Sequence, residues 1–515
     1  MKLIETLGEA IERNAANHAD EVFIRCDGRD QTFRDYADRV RRLASALYRG
    51  GARKQDRIAL LSLNGPECVE TSGVADLCGF IIVLLNARLA PPEIEWILQD
   101  AKPCVLVFEH RFTSVIEGMR QSLSNIRQFV CIGGDAPTWA TSYELFVGSG
   151  DPGGPPFRSA PSDYNAIMYT SGTTGRPKGV LLGHKQQVIL GLTQGMEYGS
   201  AFGVAALITM PLFHQTARAI YLAQMLRAGR VVIHRRFDPD ETLAAIHTER
   251  IAISSVVPTM LLAMLERPGF ETYDLTSLRA VISAGASMPV ALLRRAIAGF
   301  GAVFLNGYGQ TEGGGTMLRS RDLALDGTGD ELKRIASVGQ PMLHAQIRIV
   351  DDQGAPVPDG TLGEICIRSD QVMEGYWNNH AATLEVLRDG WLFTSDIGYL
   401  DKNRYLYLVD RKKDMIISGG ENVYSSEVEN ALSQHPAVRE VAVIGVPDEK
   451  WGETVRAIVH PHPGGNLDSA ELIAFARTTI AAFKCPKSVI FVEALPHNPS
   501  GKIDKMALRK LYSEA

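Results

Sequence analysis

Tyr169-Thr170-Ser171-Gly172-Thr173-Thr174-Gly175-Arg176-Pro177-Lys178-Gly179 follows the apolar run Ala166-Ile167-Met168 and precedes Val180-Leu181-Leu182. Apolar runs on either side of a glycine-rich polar stretch predict two strands joined by a loop. Within it, Gly172, Gly175 and Gly179 permit positive φ and a close approach of backbone to an anion. The hydroxyls of Thr170, Ser171, Thr173 and Thr174 supply donors, and Lys178 brings a mobile positive charge. The stretch reads as a phosphate-holding loop, with a plain surface turn as the bland alternative. It is not a Walker A loop, because no second glycine followed by Lys and Ser or Thr stands at the required spacing from Gly172.

Upstream, residues 57–63, 80–85 and 104–108 read as strands, and 66–77 and 92–99 as helices. That βαβαβ rhythm predicts a parallel sheet covered by helices. Downstream, three apolar strands run into polar or glycine residues: 206–210 into Pro211-Leu212-Phe213-His214, 280–283 into Ala284-Gly285-Ala286, and 303–305 into Asn306-Gly307-Tyr308-Gly309-Gln310-Thr311-Glu312. Ligands of open α/β sheets bind outside strand carboxyl ends, so these three loops are expected to line one cleft. Each residue alone has a bland reading: His214 as a satisfied buried histidine, Gly285 as a turn, Glu312 as an acid at a helix start. Beyond Asp414 the pattern becomes a compact α/β unit of about a hundred residues. There Ser426 and Glu429 are spaced as a capping box for a helix carrying Val428, Ala431 and Leu432 on one face. Strands are expected at 441–446, 455–459 and 489–492, and a helix at 469–480.

A chain of 515 residues exceeds one core, and its 45% hydrophobic and 22% charged content is that of a globular protein. The formal net charge of -6 offers no basic footprint, which argues against a nucleic-acid partner. Seven scattered cysteines without metal-ligand spacing predict reduced thiols and a cytoplasmic location. No apolar run approaches the length needed to span a bilayer, and the first residues lack a signal-peptide core.

The loop 169–179 resembles, nearly residue for residue, the signature loop of the adenylate-forming superfamily: acyl-CoA synthetases, peptide-synthetase adenylation domains and luciferases. The later motifs stand in that family's order. The resemblance implies an α/β fold, with a large N-terminal domain of stacked α/β subdomains over 1–412 and a small mobile α/β C-terminal domain over 413–515, hinged at Lys413. It implies that Thr170, Ser171, Gly172, Thr173, Thr174, Gly175 and Lys178 hold the phosphates of ATP. Tyr308 would stack on adenine, with the backbone at Gly285 and Ala286 on its other face and Asn306, Gly307, Gly309 and Gln310 beside it. Thr311 would meet phosphate, and Glu312 with Thr170 would hold Mg²⁺, whose charge offsets that of the attacked phosphate. In Gly390-Trp391-Leu392-Phe393-Thr394-Ser395-Asp396-Ile397-Gly398, Asp396 would accept from both ribose hydroxyls, and Arg411 would add a second ribose contact. Ser395 departs from the glycine usual there.

By the same resemblance, His214, Ala284, Gly313, Gly314 and Gly315 would wall the acyl pocket, the glycine run leaving room for a medium or long aliphatic chain or an aromatic acid. Coenzyme A would meet Gly419, Gly420, Trp451, Phe483 and Lys487, although Cys485 stands where some members carry a basic residue. Lys502, in Asn498-Pro499-Ser500-Gly501-Lys502, matches the family's catalytic lysine. The implied activity is an AMP-forming acid–thiol ligase: ATP and a carboxylate give acyl-AMP, then the CoA thiol displaces AMP. Its partners are a small carboxylic acid, ATP and CoA; the oligomeric state is not legible, a homodimer being one option. A peptide-synthetase adenylation domain is disfavoured, since Pro211-Leu212-Phe213-His214-Gln215 lacks an aspartate for an α-amino group. A luciferase-like enzyme is disfavoured by a terminus, Tyr512-Ser513-Glu514-Ala515, without a peroxisomal address. An adenylation-only enzyme and a non-catalytic nucleotide-binding scaffold are the remaining rivals, the latter opposed by retained Glu312, Asp396 and Lys502.

Overall fold

The computed structural model describes residues 4–170, 177–284, 288, 290–323, 327, 329–411, 414–418, 421–448, 450–462, 467–498 and 502–513. Its contacts divide the chain into two units, Met1–Gln346 with Ile367–Leu392, and Ile347–Cys366 with Phe393–Ala515.

In the first unit the expected βαβαβ segment forms, with strands Arg57–Leu61, Ile81–Leu84 and Val105–Glu109 and helices Pro66–Cys78 and Pro91–Ala101 between them. Arg57–Leu61 pairs in parallel with both other strands. These strands are near-continuous apolar runs because helices cover both faces of a parallel sheet. Proline opens each helix, where a missing N–H costs nothing, and Gly79 ends the first at φ +76°. Helix Pro66–Cys78 is buried from Cys68 onward, so its acids need partners. Glu70 Oε1 meets Arg39 Nε at 2.6 Å, and Asp76 Oδ1 meets Arg218 Nη2 at 3.1 Å. The same sheet takes in Tyr164–Thr170 in parallel and Lys178–Gly183 antiparallel.

A second sheet of this unit aligns Ala205–Ile208, Ile253–Val256, Ala280–Ala284 and Phe304–Gln310 in parallel. Their carboxyl ends therefore lie along one edge, the arrangement expected of the three loops. One expectation is corrected: residues 306–310 are not a loop. The strand continues through Gln310, turns at Thr311 and Glu312, and returns antiparallel as Gly313–Leu318. Glycine permits this close return, since a Cβ on Gly309 would stand 3.0 Å from Gly314 Cα. Glu312 thus sits in a hairpin turn and not at a helix start.

In the second unit residues 396–400 of strand Trp391–Leu400 pair antiparallel with Leu406–Arg411. A further sheet holds Ile416–Ser418, Glu421–Val423, Val438–Asp448, Gly452–Pro461 and Ser488–Phe491. Helices Ser425–Leu432 and Ser469–Arg477 bury Val428, Leu432, Leu472 and Ala476 against it. The capping box read at Ser426 and Glu429 does not form. The helix begins at Ser425, whose N–H and hydroxyl donate to Asp410 Oδ2, and Ser426 donates to the Val409 carbonyl. Glu429 instead accepts from Val443 N at 2.8 Å and pairs with Lys505 at 2.7 Å.

All seven cysteines are buried, and burial pushes the thiols of Cys26, Cys68 and Cys78 up to about 12. Among the described residues no helix is long and apolar enough to cross a membrane.

Candidate active site

The predicted phosphate loop is carried by a hairpin, Tyr164–Thr170 with Lys178–Gly183, whose last paired residues are Thr170 and Lys178. Ser171, Gly172, Thr173, Thr174 and Gly175 lie outside the described residues. On its other side Lys178–Gly183 pairs with Gly375–Tyr376. Residues 373–377 form a strap: Met373 N donates to Glu312 O at 2.8 Å, Glu374 N to Leu181 O at 2.9 Å, and Trp377 N to Gly179 O at 2.7 Å. The strap delivers Tyr376, whose hydroxyl donates to Glu312 Oε1 at 2.9 Å and whose ring centroid lies 4.9 Å from Lys178 Nζ. Burial, then the charge of Glu312, pushes the Tyr376 phenol well above its ordinary value, so it stays a donor. The fold thereby brings the buried carboxylate of Glu312 and the amine of Lys178 to one tyrosine. Sequence reading missed Tyr376, whose only local signal is an aromatic residue after a glycine.

On the neighbouring sheet's hairpin Tyr308 is buried opposite Thr316, and Ala284 pairs with Gly307, next to Asn306. Gly285 and Ala286 lie outside the described residues. His214 stands immediately before helix Gln215–Arg227, with its ring 4.6 Å from that of Phe213. Two further residues missed in the sequence fix this turn. Asn64 accepts from Leu212 N at 2.8 Å and donates to Met210 O at 3.0 Å, and Arg218 anchors the helix through Asp76, Asn165 and Gln187. Two glycines of the run have side chains where their own Cβ would point. A Cβ on Gly313 would come within 3.1 Å of Leu392 and Val372, and one on Gly314 within 2.8 Å of Gln371 Oε1.

In the second unit the strand register sets Asp396 opposite Arg411, bringing the two expected ribose contacts to neighbouring strands. Asp396 is buried, its N–H donating to Thr394 Oγ1 at 3.1 Å. Lys502 is exposed, and its backbone is tied to Asn498, which accepts from Lys502 N at 3.1 Å and donates from its own N to Lys502 O at 2.7 Å. Trp451 and Phe483 are exposed, each with a lysine ammonium over its ring. Lys487 N donates to Val455 O at 2.8 Å, which ties its backbone to the sheet. Lys413, Gly419 and Gly420 lie outside the described residues.

Mg²⁺ prefers oxygen donors and takes few from protein when phosphates supply the rest. One oriented carboxylate, Glu312, fits that demand, and among the described residues no group of three or more His, Cys, Asp and Glu offers a rival metal cage.

Residues 11–377 match the family model described as AMP-binding enzyme, and residues 427–502 that of the AMP-binding enzyme C-terminal domain. The chain is 37% identical over 510 residues to a feruloyl-CoA synthase of an Amycolatopsis species, covering 98% of this chain and 99% of that one. It is 36% identical over 477 residues to a long-chain-fatty-acid–CoA ligase of Mycobacterium tuberculosis, covering 92% and 91%. The solved amide bond synthetase of Marinactinospora thermotolerans superposes with a TM-score of 0.88 at 28% identity, covering 98% and 99%. With family models over both its parts and relatives aligned along nearly its whole length, the chain belongs to the AMP-binding enzyme family.

Proposed function

We infer that the protein is an ATP-dependent carboxylate–CoA ligase acting on a fatty or aromatic acid. The reading rests above all on one observation: a buried carboxylate, Glu312, and a lysine of the glycine-rich hairpin, Lys178, meet at the same tyrosine. That juxtaposition suits a nucleotide triphosphate with its cation. Glu312 and Thr170 would hold Mg²⁺, which supplies charge neutralisation on the phosphate oxygens. Lys178 and the hydroxyls and amides of residues 171–175 would take the phosphates, Tyr308 the adenine, and Asp396 with Arg411 the ribose. His214 would flank the acid.

In the first half-reaction a carboxylate oxygen attacks the α-phosphorus and pyrophosphate leaves. Lys502 would bridge the carboxylate and the α-phosphate oxygens, where positioning and charge stabilisation supply the rate. In the second, the CoA thiolate attacks the acyl carbonyl and AMP leaves. Gly419, Gly420, Trp451, Phe483 and Lys487 would line the CoA path, with Lys413 the hinge between the two half-reactions.

A second reading has one observation in its favour. Cys485 is buried in the core of the second unit, so that position presents no cation to a CoA phosphate. Transfer of the acyl group from acyl-AMP to an amine is the resulting alternative, and an amide bond synthetase is among the similar structures. AMP release measured on a panel of fatty and aromatic acids, with CoA, with amines and with neither, separates the two. CoA-dependent release supports the ligase; release that depends only on amine replaces it.

A further inference from the structure

Gln371 is 5% exposed, yet both Oε1 and Nε2 of its amide are buried without a hydrogen-bond partner. The position is not slack, because Gln371 N donates to Ser369 Oγ at 3.1 Å and fixes the backbone. Oε1 lies 2.8 Å from where a Cβ of Gly314 would be, so the amide rests against the glycine run in space that any larger residue would take. Met342 Cε lies 3.4 Å from the same point. Behind it Gln194, 7% exposed, donates from Nε2 to Met342 Sδ at 3.6 Å and leaves its own Oε1 buried and unpartnered. Thioether sulfur is a weak acceptor, so this second amide is weakly satisfied.

Two buried glutamines with unmet capacity, one against Gly314 and one on the neighbouring Met342, are unfavourable for folding, since nearly every buried polar atom in a native protein finds a partner. An apolar residue of similar volume at 371 would fold at least as well. The amide is accounted for if something absent from the free protein pairs with it.

We propose that Gln371 is a specificity-determining residue that hydrogen-bonds a hydroxyl substituent on the acid, and that the substrate class is a hydroxylated carboxylic acid. This rests on the reading of Gly313, Gly314 and Gly315 as a wall of the acid pocket. A hydroxyl both donates and accepts, so it matches an amide that offers one carbonyl and two N–H groups. A plain hydrocarbon in the same place would leave the amide unpaired, and sites built to bond a hydroxyl discriminate strongly against analogues that lack it.

The test uses the full-length enzyme with ATP and CoA and two matched pairs, 4-hydroxycinnamate against cinnamate and 10-hydroxydecanoate against decanoate. Wild type is expected to favour the hydroxylated member of at least one pair by about tenfold or more in kcat/KM. Gln371→Met should reduce that ratio about tenfold or more, mostly by losing the hydroxylated acid, with an unchanged KM for ATP and an equal or higher Tm. If Gln371→Met lowers Tm, Gln194→Met is read in the same way, since its amide sits on Met342, whose methyl lies beside the same glycine. A ligase that favours the plain acids, or whose ratios stay within twofold in the folded variant, overturns the proposal and leaves the ligase reading intact. Absence of CoA-dependent AMP release with every acid overturns both.

Discussion

Tyr376 reports on the metal role given to Glu312. Its hydroxyl holds Oε1 at 2.9 Å and so orients the carboxylate. A hydrogen bond to a charged group is worth about 1.5–3 kcal/mol, and each 1.36 kcal/mol is about tenfold. Tyr376→Phe keeps the ring beside Lys178 and removes only the donor. It should raise the Mg²⁺ concentration for half-maximal pyrophosphate exchange by roughly tenfold, with little change in thioester formation from supplied acyl-adenylate; an unchanged Mg²⁺ titration would remove Tyr376 from the metal site. Ser395, beside Asp396, adopts φ +60°, a conformation costly for residues with a Cβ. Ser395→Gly should raise the denaturation free energy by about 0.5–1 kcal/mol; a loss of stability would mean that the serine hydroxyl outweighs the backbone strain. Glu312 and Asp396 could be proposed from sequence because they stand in short motifs whose spacing is local. Tyr376, Asn64 and Arg218 could not, because their partners are 64, 148 and 142 residues away.

Elements were legible to the extent that their signal was periodic. The parallel strands of the first unit appear where apolar runs end in turn residues, because burial on both faces leaves that imprint. The hairpin Phe304–Gln310 and Gly313–Leu318 was misread because glycines at a close backbone approach look like loop. The Ser426–Glu429 spacing failed because tertiary partners overrode a local cap, taking the serine to the Val409 carbonyl and the glutamate to Val443 and Lys505. Helix Leu7–Asn17 is joined to helix His184–Tyr198 by a bond from Leu7 N to His184 Nε2 at 2.8 Å. Burial lowers the His184 pKa from 6.5 to about 4, keeping the ring a neutral acceptor. The unfolded chain therefore binds this proton more readily than the folded one. The contribution is complete above pH 6.5 and is lost as pH falls through about 4, an interval worth about 3 kcal/mol. His184→Gln retains an acceptor without the titration, so its urea midpoint should fall less than that of wild type between pH 7 and pH 4.5. Parallel declines in the two proteins would assign the acid sensitivity to other groups.

On the scale of the whole molecule, each unit has its own core: one is centred on residues such as Ile81, Ile97 and Phe108, the other on Val428, Val443 and Leu472. The residues expected for phosphate and metal fall in the first unit, and Lys502 in the second. On that assignment the two half-reactions should be separable by mutation. Lys502 is exposed, with its backbone held by Asn498, so replacing its side chain leaves no cavity in a core. If it stabilises charge only while the carboxylate attacks phosphorus, its loss resembles removal of one preorganised donor, which costs about 100- to 1000-fold in rate. Lys502→Ala should therefore depress ATP–pyrophosphate exchange by about that factor, while conversion of supplied acyl-adenylate and CoA to thioester stays within a few-fold of wild type. Tm should not move, which separates this outcome from unfolding. Lys502→Arg is the second arm: a guanidinium keeps the charge but not the compact ammonium geometry, so partial recovery of exchange would indicate that charge matters more than placement. Equal losses in both half-reactions would show instead that Lys502 serves a step common to them, such as holding the adenylate, and would remove it from the first transition state.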